Sequence, residues 1–186
     1  MNLRHLLELD ARLSDRVRVA ERPGILRTLA AILAHSGDSW FWGAGLILVG
    51  WLGTSFWKKW VVVLFGCIAA LALVVVTIKL LVRRRRPEGE WGGIYRSTDP
   101  HSFPSGHAAR AFLIAVLATG LGPGWLAAIL WIWAPLVCLA RVAMGVHYIS
   151  DVLAGMLLGL LFGLIGLEAR TAFLGWIASL FHAPLW

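Results

Sequence analysis

A chain of 186 residues that is 59% hydrophobic, only 15% charged and has a mean hydropathy of +0.77 is too apolar for a soluble domain and reads as a small, single-domain integral membrane protein. Its formal net charge of +7 does not point to nucleic acid, because the arginines cluster at the ends of apolar runs, where anionic lipid headgroups are the natural partners. Cys67 and Cys138 both fall inside apolar runs as small buried hydrophobes, so neither a disulfide framework nor a zinc cluster is indicated and the redox compartment stays open.

Taken in order, residues 1–36 form an N-terminal amphipathic segment. Over residues 3–20, Leu3, Leu6, Leu9, Leu13 and Val17 recur at helical spacing opposite Arg4, Glu8, Arg12, Asp15 and Arg16, which predicts a helix lying on the membrane surface. The segment has no continuous apolar core or small-residue cleavage site and is not expected to be a cleaved signal peptide. Residues 24–36 are apolar but short, and they carry Arg27 and His35, so a half-inserted or interfacial helix is expected.

Residues 40–167 form the transmembrane core. Spans are expected over 40–56 and 60–82, with Lys58 and Lys59 in the tight turn between them and Trp57 and Trp60 at the interface. The polar stretch RRRRPEGEWGGIYRSTDPHSFPSG follows, and its Pro, Gly, Asp and Ser residues argue against regular structure in the loop 88–103. Further spans are expected over 107–121, 125–144 and 148–167, with a Gly-Pro-Gly turn at 122–124. In the last of these Gly155, Gly159 and Gly163 form a small-residue stripe suited to close helix packing. The apolar tail 168–186 is either a short sixth span or an interfacial segment, giving an all-α polytopic bundle of five or six spans.

Alternating spans bring four chain ends to one face of the bilayer: Lys79 to Arg86, His107, Arg141, and His147 to Asp151. Lys79 and Arg86 lie two turns of helix apart and share a face, while His147 and Asp151 lie one turn apart and within hydrogen-bonding reach. Pro104-Ser105-Gly106 ahead of a helix leaves backbone amides free at a positive dipole end. A lysine, two arginines and a helix N-terminus around one point suit a tetrahedral, doubly charged oxyanion.

At these residues the chain resembles the type 2 phosphatidic acid phosphatase (PAP2) superfamily, in particular its small bacterial membrane lipid phosphatases. The resemblance lies in KLLVRRRRP from Lys79, PSGH from Pro104 and ARVAMGVHYISD from Ala140, in matching order and spacing, with Ala140 standing where the family has serine. It implies that His147 is the nucleophile that forms a phosphohistidine, that Asp151 orients it, and that His107 protonates the leaving oxygen and later helps to activate water. Lys79, Arg86 and Arg141 then bind the phosphoryl oxygens, with Ser105 and the Gly106 amide, and the cycle needs no metal and no other cofactor.

Other residues have plainer readings. Arg83, Arg84 and Arg85 are expected to be snorkelling anchors, and His5, His35, His101 and His182 to be caps or packing residues. Trp91, Tyr95 and Arg96 read as solvated loop in preference to a lid or headgroup contact. Three competing classes remain at this point: a metal hydrolase using His107, His147 and Asp151, a small anion transporter, and a non-catalytic membrane assembly protein. The cations around the site disfavour a metal, and a transporter has no need of two histidines with a carboxylate.

A phosphate site at the ends of spans is most easily reached by a molecule whose tail stays in the bilayer, so a lipid phosphate or diphosphate is the expected substrate. The resemblance implies phosphatidylglycerophosphate, phosphatidate, lipid A phosphate or a polyprenyl diphosphate such as undecaprenyl diphosphate, and the compact chain favours the polyprenyl diphosphate. The expected location is the bacterial inner (plasma) membrane. Positive-inside counting places the site on the cytoplasmic face, whereas the resemblance implies the extracytoplasmic face, the side adopted here because several of those arginines belong to the phosphate site. The sequence does not fix the oligomeric state.

Overall fold

The computed structural model describes residues 2–89 and 91–181. Its elements are α1 (Leu3–Arg16), α2 (Ile25–Ser36), α3 (Ser39–Leu52), α4 (Ser55–Val82), α5 (Gly93–Thr98), α6 (Gly106–Leu121), α7 (Gly124–Ala143) and α8 (Ile149–Phe181). Among the described residues α4, α7 and α8 are long and apolar enough to cross a membrane; α3 and α6 are shorter apolar helices of 14 and 16 residues. The five expected core spans therefore exist as helices, but two fall below the usual spanning length of about 20 residues.

Helix α6 lies inside the bundle: it is buried continuously from Ala111 to Ala118 and packs against α4, α7 and α8. Its tightest seam is with α8, where the predicted glycine stripe works as packing: a Cβ on Gly155 or Gly159 would strike the Ser105 or Ala109 carbonyl oxygen, and one on Gly163 would come 2.7 Å from Val116. Backbones this close hold the start of α6 and the start of α8 together, and those two starts carry His107 and Asp151.

Several boundaries differ from expectation. The break between α3 and α4 falls at Gly53 and Thr54, so Lys58 and Lys59 lie inside α4, and Trp60 is buried in the core rather than at an interface. Helix α1 ends at Arg16 instead of reaching residue 20. Leu6, Leu9 and Leu13 remain about 40% exposed, an unpartnered apolar stripe consistent with a helix on the lipid surface. Loop 88–103 contains the short helix α5. The tail is not a separate span, since α8 runs unbroken for 33 residues to Phe181; His182 and the remaining tail lie outside the described residues.

Candidate active site

Helix α4 stops at Val82 because the capping residue Arg83 adopts a left-handed conformation (φ 51°), with its amide bonded back to the Lys79 carbonyl. Arg84 to Arg86 then leave the helix, and Arg85 bridges to His101. Lys79 and Arg86 therefore do not share a helix face as the spacing suggested. They meet because the chain turns back and both reach the Asp99 carboxylate: the Lys79 ammonium donates to Oδ2 and to the His101 carbonyl at 2.9 Å, while Arg86 donates to Oδ2 at 2.8 Å and to the Asp99 carbonyl at 2.7 Å.

Arg141, in the last turn of α7, is fully buried, and its guanidinium has no hydrogen-bond partner among the described residues. It lies 4.5 Å from the centre of the Tyr95 ring, a cation–π contact. A buried, unpaired cation is expensive. Together with Lys79 and Arg86 it makes a place for a multiply charged anion.

His147 lies in the tight connection between α7 and α8, just ahead of the helix, and it is 1% exposed. Arg86 approaches its Nε2 at 3.1 Å, and its Nδ1 faces Asp151 Oδ2 at 3.6 Å. Burial, followed by the charges of Arg86, Arg141 and Lys79, pushes this imidazole well below the ordinary histidine value, so it is neutral. The Asp151 carboxylate is engaged at both oxygens: Oδ2 accepts the Tyr148 amide at 2.9 Å and caps the start of α8, and Oδ1 takes Arg84 at 2.8 Å.

Arg84 is not a snorkelling anchor. Its side chain is only 16% exposed and also binds Ser150 Oγ at 2.6 Å and Asp10 Oδ2 at 2.7 Å, with the guanidinium 4.0 Å over the Tyr148 ring. Asp10 and Ser14 of α1 receive the Ser150 and Ile149 amides, so the surface helix supplies caps for α8. Arg83 and Arg85 are exposed, as an anchor would be.

The PSGH stretch is placed as expected in part. Ser105 is the N-cap of α6, its hydroxyl accepting from the Ala108 amide at 3.5 Å and its own amide bonded to the Asp151 carbonyl at 2.9 Å, so the hydroxyl serves the helix. Gly106 and His107 line the cavity. His107 Nε2 bonds Asp38 Oδ1 at 2.8 Å, and Asp38 Oδ2 bonds His35 Nδ1 at 2.9 Å, so His35 is more than a packing residue. Burial by itself would raise the Asp38 carboxyl, but its hydrogen bonds to His107 and His35 hold it well below the usual carboxylate range. Tyr95 is not solvated loop either: besides covering Arg141 it packs edge-on against His107, with ring centroids 6.3 Å apart. Ala140, the departure from the family motif, packs with Ala30, Ala34, Ala143 and Met144 where α2 meets α7.

A cavity of about 220 Å³ joins these groups. Lys79, Asp99, His107, Arg110 and His147 make its polar end, and Ile68, Leu71, Ala72, Val75 and Val76 of α4 its apolar wall. Among the described residues His107, His147 and Asp151 do not form a cluster with metal-ligand geometry. Sequence reasoning missed Asp10, Asp38, Arg84, Asp99 and Tyr95. For the aspartates a signal existed, since an acidic residue beside an apolar run in a chain with only 10 Asp and Glu must find a cation or a donor.

Residues 59–174 match the PAP2 superfamily. Decaprenylphosphoryl-5-phosphoribose phosphatase of Mycobacterium tuberculosis (strain ATCC 25618 / H37Rv) is 37% identical over 152 residues, which cover 79% of this chain and 81% of that protein. The protein of the same name from Mycolicibacterium smegmatis is 36% identical over 143 residues, 74% of each chain. Among solved structures, Aquifex aeolicus LpxE superposes with a TM-score of 0.68 at 29% identity, covering 87% of this chain and 94% of its own. The PAP2-type phosphatidylglycerolphosphate phosphatase of Bacillus subtilis gives 0.73 at 23% identity, covering 90% and 87%, a likeness of fold. The match over most of the core, on a helix bundle that gathers all three motifs at one cavity, shows that this chain belongs to the PAP2 superfamily.

Proposed function

We propose that the protein removes a terminal phosphate from a polyprenyl-linked lipid through a phosphohistidine on His147, without a metal. The observation that carries this reading is the cavity itself, in which Lys79, Arg110, His107 and His147, with Arg86 against His147 behind them, continue directly into an apolar wall on α4. A soluble phosphate ester has no use for that wall; an isoprenoid tail does.

The chemistry follows from the hydrogen bonds. The substrate phosphoryl group displaces the Asp99 carboxylate from Lys79 and Arg86 and satisfies Arg141, so that three cations oppose the charge on its oxygens. The His147 Nε2 lone pair attacks phosphorus, the P–N bond forms, and the P–O bond to the lipid breaks with its electron pair on oxygen. His107 gives that oxygen a proton, then takes one from the water that attacks the phosphohistidine, and the P–N electrons return to His147.

The names of the mycobacterial relatives support a polyprenyl substrate and shift the favoured bond from a diphosphate to a phosphomonoester on a polyprenylphosphoryl sugar. Phosphate release in detergent from decaprenylphosphoryl-5-phosphoribose, undecaprenyl diphosphate, phosphatidylglycerophosphate, phosphatidate and lipid A phosphate tests this. The highest kcat/KM is expected on a polyprenyl member; a glycerolipid preference overturns the substrate class. Turnover is expected to survive EDTA and to be inhibited by vanadate, and full loss in chelator restored by a divalent ion overturns the mechanism. We place the enzyme in the bacterial inner membrane with its site extracytoplasmic. Lys79, Arg84, Arg86 and Arg141 are all engaged within or around the site, which removes them from any count of topological anchors.

A further inference from the structure

The turn between α2 and α3 lies outside the matched residues 59–174, yet it places one carboxylate against the catalytic machinery. Asp38 Oδ1 meets His107 Nε2 at 2.8 Å and accepts from the Tyr95 hydroxyl at 3.4 Å, while Oδ2 meets His35. The turn is fixed in place by hydrogen bonds from three helices. Arg110, also on α6, donates to Ser39 Oγ at 2.8 Å and to the Gly37 carbonyl, and the Trp42 and Trp133 indoles donate to Ser36. Gly37 itself stands so close that a Cβ there would come 3.2 Å from His107 Cδ2. Arg110 lines the same cavity as His107, and Arg141 contacts the same Tyr95 ring, so an imidazolium at His107 has cations for neighbours and needs a counter-charge.

We infer that Asp38 is the positioning residue for the leaving-group acid: it accepts the Nε2 proton of His107, which makes Nδ1 the nitrogen that serves the substrate, and its charge stabilises the imidazolium until the proton is given up. The inference rests on the phosphohistidine cycle proposed above. In the first half-reaction the P–O bond breaks, its electron pair stays on the lipid oxygen, and the Nδ1 proton moves to that oxygen. His107 is left neutral with Nε2–H still on Asp38. In the second half-reaction Nδ1 takes the proton of the attacking water. The site then carries two histidine–aspartate pairs, His147 with Asp151 for the nucleophile and His107 with Asp38 for the acid.

Leaving-group dependence separates this role from a structural one, because an alkyl oxygen leaves only with a proton whereas p-nitrophenolate leaves without one. Asp38→Asn keeps an oxygen that accepts from Nε2 and removes the charge. In the full-length enzyme in detergent, kcat/KM on a polyprenyl phosphate substrate is expected to fall about 100-fold, while that on p-nitrophenyl phosphate stays within about threefold. Asp38→Glu is expected to recover part of the alkyl rate, and Asp38→Asn to add no further loss in a His107→Ala background. Equal losses on both substrates in both variants, or an undiminished loss without His107, assign Asp38 to the fold of the turn and overturn the inference; so does the absence of any loss. A wild-type enzyme that releases phosphate from neither substrate overturns the phosphatase reading instead.

Discussion

A guanidinium can only donate, so the 3.1 Å contact from Arg86 to His147 Nε2 fixes that nitrogen as the lone-pair end and puts the ring proton on Nδ1, toward Asp151. This is the tautomer that the proposed attack by His147 requires. Protonation of Nε2 abolishes attack, and since burial and the neighbouring cations depress this histidine's value, the loss occurs at lower pH than for a free imidazole. The acid limb of kcat/KM, corrected for the substrate's own second ionisation near about pH 6, is expected well below the ordinary histidine range; a limb at or above that range contradicts the assignment. Arg84→Ala is expected to strand both Asp151 and Asp10 without a cation, costing about 3 kcal/mol or more of stability in thermal unfolding. Thermal stability equal to wild type would return Arg84 to the role of an anchor. The motif residues were legible from their own types and spacings within KLLVRRRRP, PSGH and ARVAMGVHYISD. Asp38 and Asp10 were not, because their partners His107 and Arg84 stand 69 and 74 residues away, and a lone aspartate carries no local sign of such a contact.

At the scale of elements, the apolar runs gave the helices and the glycine spacing gave one contact, α6 on α8. What the pattern could not give was the end of α4. Helical periodicity extends smoothly through the arginines, and only tertiary contacts, with Asp99 and with α8, favour leaving the helix at Arg83. The same limit hid α5, a six-residue helix inside a stretch rich in helix breakers. Gly159→Ala tests the seam: a methyl there meets the Ala109 carbonyl, so despite the better helix propensity of alanine a net loss of about 1–3 kcal/mol is expected. Because the seam joins the starts of α6 and α8, phosphatase activity is expected to fall with it. An equally stable variant would mean that the two helices separate at no cost.

At the scale of the whole molecule, positive-inside counting opposes the extracytoplasmic site proposed above, and the burial of three of the counted cations weakens that count. A topological anchor is a cation in contact with water or headgroups, whereas Lys79, Arg86 and Arg141 are all buried. Ser97 lies on the exposed side of α5, beside the site, and a cysteine placed there reads the side directly. Labelling by an impermeant reagent in intact cells is expected; labelling only after permeabilisation puts the site in the cytoplasm.

The unbroken length of α8 has a bearing on depth. Its 33 residues rise about 50 Å, against a hydrocarbon slab of about 30 Å. Lying wholly within that slab would take a tilt of about 50°, beyond the roughly 40° that spanning helices reach. The helix must therefore emerge, and Glu168 and Arg170 mark the exit, since residues 149–167 rise about 28 Å before them. Measured back from that charged collar, Asp151 falls at the opposite headgroup plane: one rigid rod sets how deep in the membrane phosphorus is met.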